Sequence, residues 1–553
     1  MKNTNWYKDA IIYQIYPRSF CDANNDGLGD IPGIISKLDY LKELGVNCVW
    51  LSPVYDSPQE DNGYDISNYK DIYPPFGTLE DFKKMLDEMH KRGIRLIMDL
   101  VVNHTSNEHP WFKSAISSKD SPYRDYYIIR KGRKNGKKPP NNWSGFFAEK
   151  AWEKIDDEDY YLHLFAKGQP DLNWENKELR EYVKSILRFW LDLGVDGFRC
   201  DVINLISKRQ DFKSRYNSPF LKGKDDYING PRLHEYLHEL YKDVYINYDS
   251  MTVGETVLTK VDDAILLASP EREELSMIFN FDHVDIDGRM GIKWFSRKFD
   301  LVRFKKIYKR WQEGLYQKGW NSLFIENHDQ RRSVGRFNTD EHMLESSKML
   351  ANTYFLMQGT PFIYQGQEIG MPNPHFHSID EIKDVESHNI YNLLNKYKIL
   401  KLFVKEKRLF EYSRDNARTP MLWDDSPNGG FTNGTPWISA NKDKTRNVKS
   451  SLEDKNSLFY YYQKLIKLKK EYPVIKDGKY IPLYLNDKEV FIYKRVTEDE
   501  ELVVVSNFTN KNIKRDWLDL FMIYDVILMN YDFSVTKELR PYESRVYYRK
   551  RKK

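Results

Sequence analysis

Cysteine is scarce in this sequence, with only three residues among 553, namely Cys21, Cys48 and Cys200. An odd number of widely separated cysteines fits neither a disulfide framework nor the closely spaced ligands of a zinc site. We therefore expect three reduced thiols and a location in the cytoplasm.

Long hydrophobic runs and a strong charge imbalance are also absent. No apolar run approaches the roughly 18 residues of a membrane helix, and Tyr, Gln and Pro interrupt the N-terminal segment AIIYQIYP, unlike a signal peptide. The formal net charge is only +4, from 86 basic and 82 acidic residues, and the basic end YYRKRKK is typical of a solvated terminus. We expect neither a membrane nor a nucleic-acid partner.

Apolar residues are abundant, at 40% hydrophobic and 15% aromatic, which is enough for a large core and more than one domain. Short apolar segments alternate with amphipathic ones, a pattern that indicates strands followed by helices. Eight such strands suit a closed barrel with a parallel sheet. The predicted strands are AIIYQIYP, NCVWLSPV, IRLIMDLVVNH, VDGFRCDVI, SMTVGE, SMIFNFDH, WNSLFIENHD and TPFIYQGQE.

Two segments depart from this alternation. Residues 105–173, rich in Lys, Pro, Asn and Trp, interrupt it after the third strand, and strands without helices follow from about residue 480. The prediction is an α/β protein with a (β/α)8 TIM barrel (1–104 and 174–479), an inserted domain B (105–173) and a C-terminal antiparallel β-sandwich domain (480–553).

Carboxylates follow several of the predicted strands. Asp99 ends the third, Asp201 the fourth and Glu255 the fifth, while Asp329 follows the seventh. Strand ends meet at one mouth of a parallel barrel, so we expect these four groups to converge, although a single terminal Asp is more often a cap or turn residue. Cys200 should face away from that mouth, because neighbouring residues of a strand point to opposite faces.

Several carboxylates with an arginine and histidines, without a phosphate-binding loop, are typical of glycoside cleavage. One carboxylate attacks the sugar carbon or activates water, and a protonated carboxyl group donates to the leaving oxygen. Arg199 precedes Asp201 by two residues and should keep it ionised.

The sequence resembles the α-amylase superfamily of glycoside hydrolases (family 13), and within it the bacterial oligo-1,6-glucosidase and α-glucosidase group. The resemblance extends over essentially the whole chain. Its motifs are DLVVNHTS (99–106), QPDLNW (169–174), GFRCDVIN (197–204), VGET (253–256), ENHDQ (326–330) and RDNARTPM (414–421).

The resemblance implies that Asp201 is the nucleophile, Glu255 the general acid/base and Asp329 the carboxylate that supports the transition state of a retaining reaction. It also implies a pocket that releases one terminal glucose at a time from short α-1,6-linked oligosaccharides. The implied substrate-binding residues are Asp61, Tyr64, Asp99, His104, Gln169, Arg199, Val202, His328 and Arg418.

A loop after the first strand, DANNDGLGD, alternates oxygen-bearing side chains in the manner of a calcium loop. Gly33 stands where an EF-hand has its glutamate, so an EF-hand is not expected. Relatives carry calcium here, and we expect a structural Ca²⁺ and no organic cofactor. The candidate ligands are Asp22, Asn24, Asp26, Leu28 and Asp30, and the alternative is a turn rich in Asx residues.

Other activities stay open from the sequence. Val202 is associated in relatives with α-1,6 bonds, but trehalose-6-phosphate hydrolases share it, and Arg331, near Asp329, is a candidate phosphate contact or an ion-paired side chain. A sucrose-isomerising transferase lacks support because its charged motif is absent after Asp329. A non-catalytic amylase-like binding subunit would lack the three acids. We expect a monomer that binds a small oligosaccharide.

Overall fold

The computed structural model describes residues 5–147, 150–216, 221–289, 292–337, 342–532 and 535–551. Within these ranges, no helix is long and apolar enough to cross a membrane. Eight parallel strands form the central sheet: β1 (Ile12–Ile15), β2 (Cys48–Leu51), β3 (Arg95–Leu100), β4 (Gly197–Cys200), β5 (Met251–Glu255), β6 (Met277–Phe279), β7 (Ser322–Leu323) and β8 (Thr360–Tyr364). All eight predicted strands are confirmed.

The sheet closes into a barrel. Its order is β6-β5-β4-β3-β2-β1-β8-β7, and a parallel bridge between Ile278 and Asn321 joins β6 to the start of β7. Alternate side chains of each strand fill the interior, where Trp50, Ile97 and Phe279 pack together. The intervening side chains, such as Phe198, pack outward in the main core with the helices.

Helices surround the barrel because their apolar faces pack against the outer side of the strands. The helix Lys177–Asp192 buries Leu179, Val183, Ile186 and Leu187, and the Asn176 side chain caps its first turn. The α-helices are Ile31–Ser36, Leu38–Leu44, Leu79–Lys91, Pro110–Ser117, Lys177–Asp192, Lys224–Tyr227, Leu233–Asp243, Val261–Ala268, Leu301–Gly314, Met343–Phe355, Val385–Lys396, Glu406–Tyr412, Asp415–Arg418, Val448–Glu453, Leu458–Glu471 and Pro473–Asp477. The 3-10 helices are Trp6–Asp9, Pro17–Ser19, Pro74–Phe76, Arg124–Tyr126, Ile203–Leu205, Tyr245–Asn247, Pro270–Arg272, Gln367–Ile369, Ile379–Glu381, Lys398–Leu402 and Asp516–Phe521.

The segment between β3 and the helix Lys177–Asp192 contains its own antiparallel sheet. Its strands are Ile129–Lys131, Trp152–Lys154 and Asp159–Leu162, with the last in the centre. A bridge from His104 to Asp171 and a hydrogen bond from Leu172 N–H to the Asn103 carbonyl (2.8 Å) tie the segment to the chain that follows β3. Two further pairs of strands lie near the barrel mouth, Tyr55–Asp56 with Asn68–Ile72 and Gly288–Arg289 with Ile292–Ser296.

The C-terminal strands form a five-stranded antiparallel sheet. In spatial order they are Lys479–Leu483, Val490–Val496, Glu500–Asn507, Ser544–Lys550 and Asp525–Met529. One face packs on the main core through Tyr493 and Val504, and the other packs through Ile492 and Val503 on a second layer. That layer includes the two-stranded sheet Ile513–Lys514 and Glu538–Leu539. Burial of both faces explains the near-continuous apolar strands.

Candidate active site

Strand alternation places the polar groups of the site. Ile97 and Asp99 of β3 point into the barrel, as do Val253 and Glu255 of β5, with the polar residue at the C-terminal end in each case. Arg199 of β4 follows the same rule, whereas Cys200 packs outward in the main core, and burial raises the pKa of its thiol to about 12. The orientation predicted for Cys200 is confirmed.

Arg199 is the centre of the charged cluster. Its Nη1 donates to Asp201 Oδ1 at 2.6 Å and also to Asp99 Oδ1, and its Nη2 lies 2.8 Å from Glu255 Oε2. The guanidinium is almost fully buried, and its planar fork contacts the three carboxylates at once. Asp201 and Glu255 are therefore held close together, at opposite ends of one cation.

The pKa values of these two acids are raised to different extents. Burial raises the pKa of Asp201 to about 7, with Arg199 opposing the rise. Burial raises the pKa of Glu255 to about 8, again against Arg199 and with help from the charges of Asp201 and Asp329. Glu255 therefore keeps its proton to a higher pH than Asp201 does.

Val202 follows Asp201 in an unusual backbone conformation, with φ of 35° and ψ of 40°. A β-branched residue in the left-handed region is strained by about 1–3 kcal/mol. This turn directs the Val202 N–H group to Glu255 Oε2 at 3.1 Å, and the Val202 side chain lines the pocket. The strained residue thus links the two acids.

Asp329 is the acid that stays ionised. Burial alone would raise its pKa, but His328, Arg414 and Arg418 together hold that pKa far below its usual range. Arg418 Nη2 donates to Asp329 Oδ1 at 2.7 Å, and Arg418 Nε donates to the carbonyl oxygen of His328 at 3.0 Å.

The closed end of the pocket combines aromatic and polar side chains. Tyr64 stacks on His328 with ring centroids 5.4 Å apart, and its hydroxyl lies 2.8 Å from His328 Nε2. Gln169 Nε2 donates to Asp61 Oδ2 at 3.3 Å and lies 3.2 Å from His104 Nε2. Burial lowers the pKa of His104 to about 4 and that of His328 to about 3, so both rings are neutral at pH 7.

These side chains surround one cavity with a volume of about 530 Å³. Of the site residues predicted from the sequence, eight line it, and the others contact the lining residues from behind. The lining residues are Asp61, Tyr64, His104, Gln169, Asp201, Val202, Glu255 and Asp329, and those behind are Asp99, Arg199, His328 and Arg418. The segment 105–173 adds a wall in which Phe146 stacks on Phe165 at 5.2 Å.

Sequence reasoning missed a second cluster at this mouth. Arg414 Nη2 donates to Asp61 Oδ1 at 2.9 Å, and Arg414 Nε donates to Asp384 Oδ1 at 2.7 Å. Lys293 Nζ lies 2.6 Å from Glu386 Oε2, and Lys293 and Glu386 both line the pocket. Arg414 is the first residue of the motif RDNARTPM, which also contains Arg418, so the sequence already held a signal for Arg414.

Arg331 does not line the pocket among the described residues. Its Nη2 donates to Asp287 Oδ2 at 3.3 Å, and its guanidinium lies 4.0 Å from the centre of the Tyr412 ring. Of the two interpretations left open by the sequence, the ion-paired side chain is the one observed.

The loop 22–30 lies apart from the pocket, and its oxygens face its own backbone. Asp22 accepts from the N–H groups of Asn25 (2.7 Å) and Gly27 (2.8 Å), and Asp30 accepts from Gly33 N–H (2.6 Å) and caps the helix Ile31–Ser36. Burial raises the pKa of Asp30, and the nearby charge of Asp22 adds to the rise. Three side-chain carboxylates, one amide and one carbonyl within nine residues form an all-oxygen donor set that suits Ca²⁺.

A different acidic group brings three carboxylates within 4.8 Å of one another in the described part of the chain, namely Glu181, Glu239 and Asp243. Lys184 Nζ lies between them, at 2.8, 2.7 and 2.6 Å from the three side chains. The lysine supplies the positive charge there, so this group needs no metal ion.

Comparison with known proteins agrees with this geometry. The model of the alpha-amylase catalytic domain matches residues 14–478. The chain is 52% identical to an oligo-1,6-glucosidase of Parageobacillus thermoglucosidasius, over 98% of each chain, and 47% identical to a trehalose-6-phosphate hydrolase of Bacillus subtilis (strain 168), over 99% of this chain and 98% of the relative. An isomaltulose synthase from Klebsiella sp. LX3 superposes with a TM-score of 0.94 at 38% identity, covering 98% of this chain and 99% of that one. The protein belongs to the alpha-amylase family of glycoside hydrolases.

Proposed function

We propose that this protein is a retaining, exo-acting α-glucosidase that releases terminal glucose from short α-1,6-linked oligosaccharides. The observation that carries the proposal is the contact of Asp201 and Glu255 with the two ends of the Arg199 guanidinium in one pocket. Burial raises the pKa of both acids, and the charge of Asp201 favours the protonated form of Glu255, which suits one acid as nucleophile and the other as proton donor in a double displacement.

In the first step, Asp201 attacks the anomeric carbon while Glu255 donates its proton to the glycosidic oxygen. Contact with the same guanidinium holds the two carboxyl groups near each other, as a nucleophile and a proton donor on one glycosidic bond must be. A covalent glucosyl-enzyme forms at Asp201. In the second step Glu255, now ionised, takes a proton from water, and the water oxygen displaces Asp201 with net retention of configuration.

Asp329 supports the transition state from its ionised form. The cations that keep its pKa low also fix its position, since Arg418 contacts its carboxylate directly. Positive charge develops on the sugar ring, and a fixed carboxylate in a poorly hydrated pocket stabilises that charge.

The closed end explains removal of one glucose at a time. The Asp61–Arg414 pair and the Tyr64–His328 stack are buried and would stop a longer chain from continuing past the terminal sugar. Neutral His104 and Gln169 provide hydrogen bonds for ring hydroxyl groups without adding charge.

The charges of the pocket favour a neutral substrate over a phosphorylated one. The carboxylates that line it are Asp61, Asp201, Glu255, Asp285, Asp329 and Glu386. Among the described lining residues, the lysine and arginine side chains are Lys293 and Arg414, and both are paired with carboxylates. Each of these two cations is therefore already neutralised, and the described lining residues offer a phosphate group no unpaired lysine or arginine.

The preference for α-1,6 bonds rests on Val202 and on relatives. Val202 lines the pocket between the two acids, and several relatives that are 46–52% identical are named oligo-1,6-glucosidase. Trehalose-6-phosphate hydrolase remains the alternative because relatives of that name are 45–47% identical, but no observation in the described part of the pocket favours it.

We also propose that Ca²⁺ binds the loop 22–30 through Asp22, Asn24, Asp26, Asp30 and the Leu28 carbonyl group. The ion would offset the repulsion between the carboxylates of Asp22 and Asp30, both of which are buried. Its role would be structural, because no residue of this loop lines the pocket.

A substrate panel tests the proposed function. We expect kcat/KM for isomaltose to exceed that for maltose, sucrose, trehalose and trehalose-6-phosphate. Arg331→Met is a matched control that should leave the ranking unchanged, since Arg331 pairs with Asp287 outside the pocket. A wild-type preference of tenfold or more for trehalose-6-phosphate, about 1.4 kcal/mol of transition-state binding, would overturn the choice of substrate.

A further inference from the structure

Asp285 lines the pocket but belongs to none of the clusters described above. It follows β6, a barrel strand that contributes no residue to the predicted catalytic and substrate-binding set. A helical turn holds its backbone, since Asp285 N–H donates to the Phe281 carbonyl at 2.9 Å and the Asp285 carbonyl accepts from Gly288 N–H at 3.0 Å. The side chain is half-buried and faces the cavity.

The carboxylate of Asp285 receives no hydrogen bond and no ion pair from the described residues, unlike its two acidic neighbours. Asp287 contacts Arg331, Arg336 and Tyr412. Asp282 accepts from Arg310 at 2.5 Å and from Trp311 at 2.8 Å. Asp285 is therefore the acid of this loop that is left to bind a ligand.

Its place in the pocket is outward from the reacting bond. Asp285, Lys293 and Glu386 are half-buried where they line the cavity, whereas Asp61, Asp201 and Glu255 are buried. The turn of Asp285 leads into the strand Gly288–Arg289, which pairs with Ile292–Ser296, the strand of Lys293. Asp285 thus lies with Lys293 toward the rim of the cavity, and a leaving sugar extends toward the rim from a terminal sugar held among the buried side chains.

We infer that Asp285 is a specificity-determining residue, which accepts a hydrogen bond from a hydroxyl group of the leaving sugar and disfavours a leaving sugar that carries a phosphate. This inference rests on the proposed function, since it names the contact for the leaving group of that reaction. Lys293 offsets the carboxylate only in part, because Lys293 also pairs with Glu386 at 2.6 Å.

The surroundings of Asp285 suit this role. Burial raises its pKa to about 7, so its charge is poorly solvated even with Arg336 and Lys293 nearby. A poorly solvated acceptor without a donor gains more from a ligand hydroxyl group than a hydrated one does. Trp294, next to Lys293 in the chain, also lines the cavity and adds apolar surface to it.

The experiment compares kcat/KM for isomaltose with that for 4-nitrophenyl α-glucoside, whose leaving group has no ring hydroxyl groups. Asp285→Ala should lower the value for isomaltose about 10- to 100-fold, as expected for loss of a hydrogen bond to a charged group. The loss on the nitrophenyl substrate should be at least tenfold smaller. Asp285→Asn should raise the ratio of trehalose-6-phosphate to isomaltose activity about tenfold.

Asp282→Asn is the matched control, since it removes a neighbouring charge outside the pocket and should change no ratio. Equal losses on isomaltose and the nitrophenyl substrate, or no loss on either, would overturn the role of Asp285. The Kd values of isomaltose and 4-nitrophenyl α-glucoside can also be compared with and without Asp285→Ala in a Glu255→Gln variant, where the measurement needs no turnover. This binding comparison tests the role of Asp285 even if the substrate panel contradicts the proposed function. A failure of the role of Asp285 can therefore be told from a failure of the proposed function.

Discussion

Replacing Arg199 with methionine tests the electrostatic basis of the site. The guanidinium contacts Asp201 at 2.6 Å and Glu255 at 2.8 Å, and it opposes the rise in the pKa of both. Opposite unit charges about 4 Å apart attract by about 4 kcal/mol at an effective dielectric constant of about 20, so losing the cation should raise the pKa of Asp201 by about three.

Because Asp201 would then ionise only at a higher pH, Arg199→Met should shift the acid limb of the pH profile of kcat/KM. Asp201 must be ionised to attack, so wild-type kcat/KM should fall as the pH drops below about 7, and it should fall again above about 8 as Glu255 loses its proton. In Arg199→Met the acid limb should move to about pH 10, and activity at pH 7 should drop about 500-fold because about one Asp201 in a thousand is then ionised.

The assay is the pH profile of kcat/KM on 4-nitrophenyl α-glucoside, with thermal melts of each variant. Arg180→Met is the structural control, since Arg180 is also buried and pairs with Glu239 at 2.9 Å outside the site. It should lower the melting temperature without moving the acid limb, and Arg199→Lys should give an intermediate shift. An acid limb below pH 8 in Arg199→Met, or activity at pH 7 within tenfold of wild type, would refute the reasoning.

Three further predictions concern the catalytic acids, the loop and the buried thiol. Asp201→Ala, Glu255→Gln and Asp329→Asn should each lower kcat by several powers of ten with little change in melting temperature, and near-normal activity of purified Asp201→Ala would remove its assignment as nucleophile. Chelator should lower the wild-type melting temperature, because a bound ion stabilises only the folded state, and Asp22→Ala should abolish the effect; an unmoved melting curve with no calcium by metal analysis would leave the loop a turn. Cys200→Met should retain activity, and thiol reagents should react slowly because burial raises the pKa of Cys200 to about 12; rapid inactivation that substrate prevents would contradict its outward orientation.

The sequence was sufficient for the barrel and for the residues at its strand ends. Periodicity located all eight strands, and alternation along them determined the directions of Asp99, Arg199 and Cys200. The two-residue strands of the second C-terminal layer were not predicted individually, since strands this short carry too few residues for a periodic pattern.

The outer part of the pocket could not be derived in this way. Asp285 lies in a turn after β6 and Lys293 in the short strand Ile292–Ser296, and neither segment is long enough for periodicity to tell which side chain faces a cavity. Arg331 and Asp287 are 44 residues apart, and only the tertiary fold shows that they pair. Arg414 was within a recognised motif, but its contact with Asp61 joins residues that are 353 positions apart.

The most direct test of the mechanism is the anomeric form of the first glucose released from 4-nitrophenyl α-glucoside, followed by proton NMR before the anomers interconvert. Attack by Asp201 and then by water, each with inversion, predicts that α-glucose appears first. Early accumulation of β-glucose would mean a single displacement by water and would contradict the role of Asp201 as the nucleophile.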